Sequence, residues 1–246
     1  MRAFRITVLL VVAALLAGPA LADSLITMKS HTDAAMGQPA RDETTTVWVG
    51  KDRMARVGGD TSFIIRADQK KLYMVDTAAK TYSELDLPVD AIKYFPPEIQ
   101  AQIGPMLQQM KYTAKVTQTA ETKKIGAWNA TLYKAEIANA TGVKMDIDMW
   151  VTKDLAIDVS AYKALANSLQ GLQVGFEDVT REMAKIDGIA VLTESTISVM
   201  GNTVKSREEL VSVETKAAPA GTYDVPAGLA KEAYDPMKAA MQGGGK

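Results

Sequence analysis

The chain has no cysteine and a single histidine, His31. Without thiols there are no disulfide bridges, no cysteine nucleophile, no thiolate metal site and no covalently attached c-type haem. The acylated cysteine of a bacterial lipoprotein is excluded as well. A Ser-His-Asp triad could use only His31, and no G-x-S-x-G elbow accompanies it. Concentrated positive charge is also missing. The 28 Lys and Arg residues are interspersed with 29 Asp and Glu. Nucleic acid is therefore not an expected partner, since phosphate neutralisation needs a basic surface. The same balance disfavours electrostatic adhesion to anionic lipid.

Long apolar runs are scarce too. The one that stands out, Ile6 to Ala17, is shorter than the roughly 20 residues of a spanning helix. It follows Arg2 and Arg5 and precedes Ala20-Leu21-Ala22, the basic, apolar, small-x-small order of a secretory signal peptide. The expected layout is a signal peptide over 1–22, cut after Ala22, with export to the periplasm and no transmembrane segment. The mature chain then carries 26 basic against 29 acidic residues, a formal charge of −3. Its length suffices for a sizeable core without disulfides.

What is present is alternation. From Leu25 to Leu85 short Val-, Ile-, Thr- and Tyr-rich segments are separated by turn-prone groups: Leu25–Ser30, Thr44–Val49, Arg53–Val57, Ser62–Arg66, Lys71–Val75 and Thr81–Leu85. Strands at this spacing predict an antiparallel meander. Pro96-Pro97 then opens a helical stretch in which Ile99, Ile103, Met106, Leu107 and Met110 form one stripe, interrupted by Pro105. Strands resume over Tyr112–Ala120, Trp128–Ile137 and Val143–Val151, with a turn expected over 122–127. In the last of these Val143, Met145, Ile147, Met149 and Val151 face one way, and Lys144, Asp146, Asp148 and Trp150 the other.

A second helix is predicted from the stripe Val159, Tyr162, Leu165, Ala166, Leu169 and Leu172, with Asp158 or Ser160 as cap. Residues 176–185 form a further short helix or loop. Ile189–Met200 and Thr203–Thr215 make a hairpin about Gly201-Asn202. Tyr223–Val225 is a candidate last strand, and 231–246 is expected to be a flexible tail. The domain reading is one curved-sheet domain over 23–230. Its fold class is mainly β with helices (α+β): a curved antiparallel sheet, or half-open barrel, under a helical lid. A large antiparallel sheet must cover its apolar face, and the apolar helices supply the cover.

Several segments carry a resemblance. Val47-Trp48-Val49-Gly50-Lys51-Asp52-Arg53-Met54, the run from Ile64 to Asp76, Lys80-Thr81-Tyr82-Ser83-Glu84-Leu85 and Met149-Trp150-Val151-Thr152-Lys153-Asp154-Leu155 resemble, in that order, an uncharacterised family of exported bacterial proteins, a domain of unknown function. That family is distantly similar to the lipoprotein-localisation factors LolA and LolB. The resemblance implies a half-barrel closed by helices that binds acyl chains inside it. It assigns no lipoprotein-contacting residue.

The chemistry-bearing residues have plain readings. His31 has only Asp33 nearby in sequence and reads as a strand-end residue. Asp146 and Asp148 mark the solvated face of their strand. Trp48, Trp128 and Trp150 read as core or rim packing. Arg53, Arg56 and Arg66 read as surface residues, although an inward arginine could hold a lipid carboxyl or phosphate. No catalytic residue, metal ligand or cofactor is expected. The functional expectation is a non-enzymatic periplasmic carrier of a lipid, an acylated peptide or lipoprotein acyl chains, with 97–110 and 160–172 as a movable cover. Ile99, Ile103, Met106, Leu107, Met110, Leu165, Leu169 and Trp150 are its candidate ligand-facing residues. The alternative is an envelope module that contacts a partner protein and holds no small molecule.

Overall fold

The computed structural model describes residues 23–243, apart from 36, 59–60, 101, 103–110, 173 and 200. Two meanders build the fold. The first runs β1 (Asp23–Thr32), β2 (Arg41–Val49), β3 (Arg53–Val57), β4 (Thr61–Arg66), β5 (Lys71–Asp76) and β6 (Thr81–Asp86). The second runs β7 (Tyr112–Ile125), β8 (Trp128–Asn139), β9 (Lys144–Thr152), β10 (Ile189–Val199) and β11 (Asn202–Lys216). Antiparallel pairing of β1 with β11 joins them, so Ile26 lies between Val47 and Val213. A short strand β12 (Ala230–Glu232) adds in parallel to β6. The result is one open, curved sheet in the order β12-β6-β5-β4-β3-β2-β1-β11-β10-β9-β8-β7.

Three bulges bend it, at Thr27/Met28 against β11, at Ala190/Leu192 against β9 and at Gln118/Thr122 against β8. An extra residue on one strand increases local twist and curvature. Val191, the extra residue on β10, is fully buried.

Helices α1 (Val159–Asn167) and α2 (Glu177–Met183) follow β9, and α3 (Pro236–Gly243) follows β12. Asp158 caps α1 by accepting from the Ala161 N–H at 2.9 Å, a contact worth about 1 kcal/mol. Leu165 is buried and Tyr162, Leu169 and Leu172 pack with it against Ile26, Val49, Ile65, Leu72 and Leu85. Met183 and Ile186 cover Tyr133, Ala135, Met149 and Val151. The opposite face of the first meander is also closed. Ala55, Ile64 and Val75 lie under Tyr223, Ala218 and Leu229, and the Arg53 guanidinium sits 4.6 Å from the Tyr223 ring centre.

Strand β7 is a sheet edge, and α2 protects part of it. The Ala114 and Val116 N–H groups donate to Asp178 (2.9 Å) and Glu182 (3.1 Å), one helical turn apart. This satisfies backbone donors that would otherwise invite another strand.

Several local expectations need correction. β7 continues to Ile125, so the turn shrinks to 126–127, because Lys123, Lys124 and Ile125 still pair with Ala130, Asn129 and Trp128. Asn202 pairs with Val199, so it belongs to β11 and not to the hairpin loop. Tyr223 is not in a strand: its segment is a turn, with hydrogen bonds from Thr222 to Pro219 and from Asp224 to Gly221, and the ring is spent on burial. The last strand comes later, at 230–232. Residues after 230 were expected to be loose, yet β12 pairs with β6, Tyr234 meets Tyr94 edge-on at 5.5 Å, and α3 follows.

Candidate functional site

A cavity of about 450 Å³ lies between the sheet and the two helices. Met149 and Val151 of β9, Ile189 and Ala190 of β10 and Glu208 of β11 form its floor. Tyr162, Lys163 and Asn167 of α1, and Thr180, Met183, Ala184 and Ile186 on and after α2, form its roof and walls. Strand alternation explains the floor. Met149 and Val151 share a phase, and Ala190 lies opposite Val151. Gly188 closes one end at φ +136, with a Cβ position only 2.4 Å from the Thr152 carbonyl oxygen. Only glycine allows the chain to approach β9 so closely there. Across the roof, the Lys163 ammonium donates to the Ile186 carbonyl at 2.6 Å and ties α1 to the chain after α2.

A second recess, of about 320 Å³, adjoins the first at Thr180 and runs beneath Val89, Ala91, Ile92, Gly171, Val174 and Phe176. The cavity floor has one acid, Glu208. Burial pushes its carboxyl above the ordinary glutamate range; Arg56 opposes that shift and Glu43 adds to it. Burial likewise raises the Tyr162 phenol, helped by the charge of Glu208.

The sequence-derived candidates fall in different places. Ile99 is half-buried in a helical turn over 97–100. Ile103, Met106, Leu107 and Met110 lie outside the described residues. Leu165 and Leu169 belong to the central core against the first meander. Trp150 faces away from the cavity, packed in the core with the Lys123 ammonium 5.2 Å from its ring, while its neighbours Met149 and Val151 line the space. Glu208 was missed in sequence. The register of β10 and β11 is what turns it to the cavity side.

The other face of β9–β11 and β1 forms a polar groove of about 350 Å³. Its acids are matched to bases: Asp148 with Lys134 (3.0 Å), Asp146 with Lys144 (3.0 Å) and Glu194 with Arg207 (2.9 Å). No group of three or more acids and histidines is placed to hold a metal among the described residues. Arg66 is likewise occupied, by Asp68 at 2.7 Å and Asp224 at 3.2 Å.

His31 borders this groove, with Asp42 2.8 Å from Nδ1 and Asp33 3.3 Å from Nε2. Asp42 arrives by register, as the residue opposite His31 on β2. The Asp42 hydrogen bond is the main cause that raises the imidazole above its usual value of 6.5. A raised histidine stabilises the fold below its unfolded pKa, and that contribution is lost as pH rises through the folded value. Asp42→Asn is therefore expected to lower the His31 midpoint in an NMR titration. An unchanged midpoint would contradict the pairing.

An open β-sheet partly roofed by helices, with a cavity between them, is the class that this geometry defines. The family model for a domain of unknown function, DUF4412, matches residues 105–229. The chain belongs to that family. Curated proteins provide no matching relative. Among solved structures, LolA superfamily protein NE2245 from Nitrosomonas europaea is similar over 84% of this chain and 91% of that one, at 9% identity and TM-score 0.31. A protein described as an outer membrane lipoprotein-sorting domain, from Vibrio parahaemolyticus, is similar over 84% and 91%, at 7% identity and TM-score 0.32. PNGF-II is similar over 89% of this chain at 12% identity and TM-score 0.42, and the chain spans 32% of its length.

Proposed function

We propose that this protein is a non-catalytic binding protein of the periplasm that holds one lipid, acylated peptide or lipoprotein acyl chain between its sheet and its helices. The supporting observation is the cavity of about 450 Å³ whose floor is mostly Met149, Val151, Ile189 and Ala190. Small-molecule sites are typically concave, mostly apolar and roughly 300–1,000 Å³. Affinity would come from taking methylene groups out of water, at about 0.8 kcal/mol each. In this reading residues 1–22 direct export and the single domain begins at Asp23.

The cavity can be filled from its floor. Ala190→Phe should weaken binding of N-phenyl-1-naphthylamine about tenfold, the loss of roughly 1.4 kcal/mol, while the protein keeps its far-UV circular dichroism. Trp150→Ala, on the other face of β9, should leave dye affinity unchanged in the folded protein. A folded Ala190→Phe variant with undiminished binding would place the dye elsewhere. Native mass spectrometry of protein taken from the cell envelope, with lipid extraction, should reveal a stoichiometric lipid. Folded protein with neither bound lipid nor dye binding would leave the interaction module as the better reading.

A further inference from the structure

We propose that Glu208 is the polar anchor of the cavity and that it selects amphiphiles whose head is a protonated amine. The inference rests on the binding reading above and deepens it. Glu208 stands on the floor of a space whose other sheet residues are apolar. Among the described residues the influences on its carboxylate are burial and the charges of Arg56 and Glu43, with no hydrogen bond among them. Other acids of the sheet are satisfied: Glu84 by Lys71 and Lys231, Asp148 by Lys134 and Glu194 by Arg207. The cation that lines the same cavity, Lys163, is committed to the Ile186 carbonyl.

Glu208 is thus a half-buried charge whose partner the chain does not supply. Such a group is costly alone and gains strongly from a charged donor. An alkylammonium has three N–H donors and a positive charge, and its chain would lie along Met149, Val151 and Met183. A fatty-acid carboxylate would meet repulsion from both Glu208 and Glu43. Among the described residues Arg56 on β3 is the opposing charge that acts on Glu208, while Glu43 on β2 adds to the effect of burial and Tyr162 of α1 faces it as a neutral phenol. Its nearest strand neighbours, Ser30 on β1 and Thr193 on β10, do not titrate.

Ionisation of Glu208 makes the selection pH-dependent. Burial lifts its pKa, so the anchor becomes charged as pH rises through that value, while an alkylamine stays protonated up to about pH 10. The test displaces N-phenyl-1-naphthylamine from the mature chain with dodecylamine, dodecanol and dodecanoate between pH 5 and 8. Dodecylamine should bind about tenfold more tightly than dodecanol at pH 8, as expected for a charge-assisted bond, and the advantage should shrink at pH 5. Glu208→Gln should erase the preference, weakening dodecylamine far more than dodecanol. Arg56→Gln, which removes the opposing charge, should widen it.

Equal affinity for amine and alcohol in the wild type, or a preference that survives in Glu208→Gln, would overturn the assignment while leaving the cavity a binding site. Failure of the dye and all three amphiphiles to bind folded protein would remove the binding reading and this inference together.

Discussion

Leu72→Ala is expected to destabilise the protein by about 2–5 kcal/mol, the range for deleting a buried leucine side chain. Leu72 is fully buried on β5, between Ile65 of β4 and Leu85 of β6, which are themselves at most 1% exposed. These three form one aliphatic row across three strands, and alanine would leave a hole that neighbours held by the ladder can only partly fill. Marginal stability of about 5–15 kcal/mol makes this a large fraction of the total. Each kcal/mol lost corresponds to about 2–4 °C in a domain of this size. Urea denaturation should show a lower midpoint with an unchanged slope. Leu72 does not line the cavity, so the folded fraction should bind dye normally. A loss under about 1 kcal/mol would show that the row tolerates a void and is not tightly packed.

Gly171→Ala should damage the roof itself. A Cβ at Gly171 would lie 1.7 Å from the Val89 carbonyl oxygen and 2.5 Å from its carbon. The obstacle is backbone, so no side chain can rotate away. Either the turn Gln170–Leu172 or the segment after β6 must move, at a cost of about 1–3 kcal/mol or more for overpacking. Gly171 lines the recess that adjoins the main cavity at Thr180, so dye affinity should fall as well. Hydrogen exchange should speed up in 88–92 and 159–172 and leave the β1–β2 pair protected. Leu72→Ala and Gly171→Ala would thus separate: the first loses stability without losing affinity, the second loses both. Wild-type stability and affinity in Gly171→Ala would mean that the two backbones do not approach this closely.

Local pattern made most strands and the α1 cap legible. Val143–Val151 alternates cleanly, and Asp158 precedes a helical stripe. The choice of inward phase was harder, because this sheet buries residues on both faces. Ile64 and Ile65 are adjacent and both buried, one beneath Tyr223 and the other in the main core. Alternation therefore says which residues share a side but not which side carries the roof, so the period alone does not separate the Met149 face from the Trp150 face. The β1–β11 pairing, which closes the two meanders into one sheet, joins segments far apart in sequence and has no local signature. β12 is only three residues long, too short for a period to emerge. Glu208 was hidden for a related reason. It sits among Arg207 and Glu209, so it reads as one more surface charge until the register of β10 and β11 fixes its direction.

The two carboxylates of α2 that hold β7 have a consequence for self-association. Asp178 and Glu182 guard the open rim of the sheet, and α2 is also one wall of the chamber. Lifting that wall to let a guest in would strip two amide groups of their acceptors and leave a bare, strand-ready margin. Under the proposed binding function, loading on this side would expose a pairing-ready strand edge at the same time. Glu182, held low chiefly by Lys185 and also by the Val116 amide, keeps its charge below the ordinary glutamate range, so this guard is expected to give way only in stronger acid.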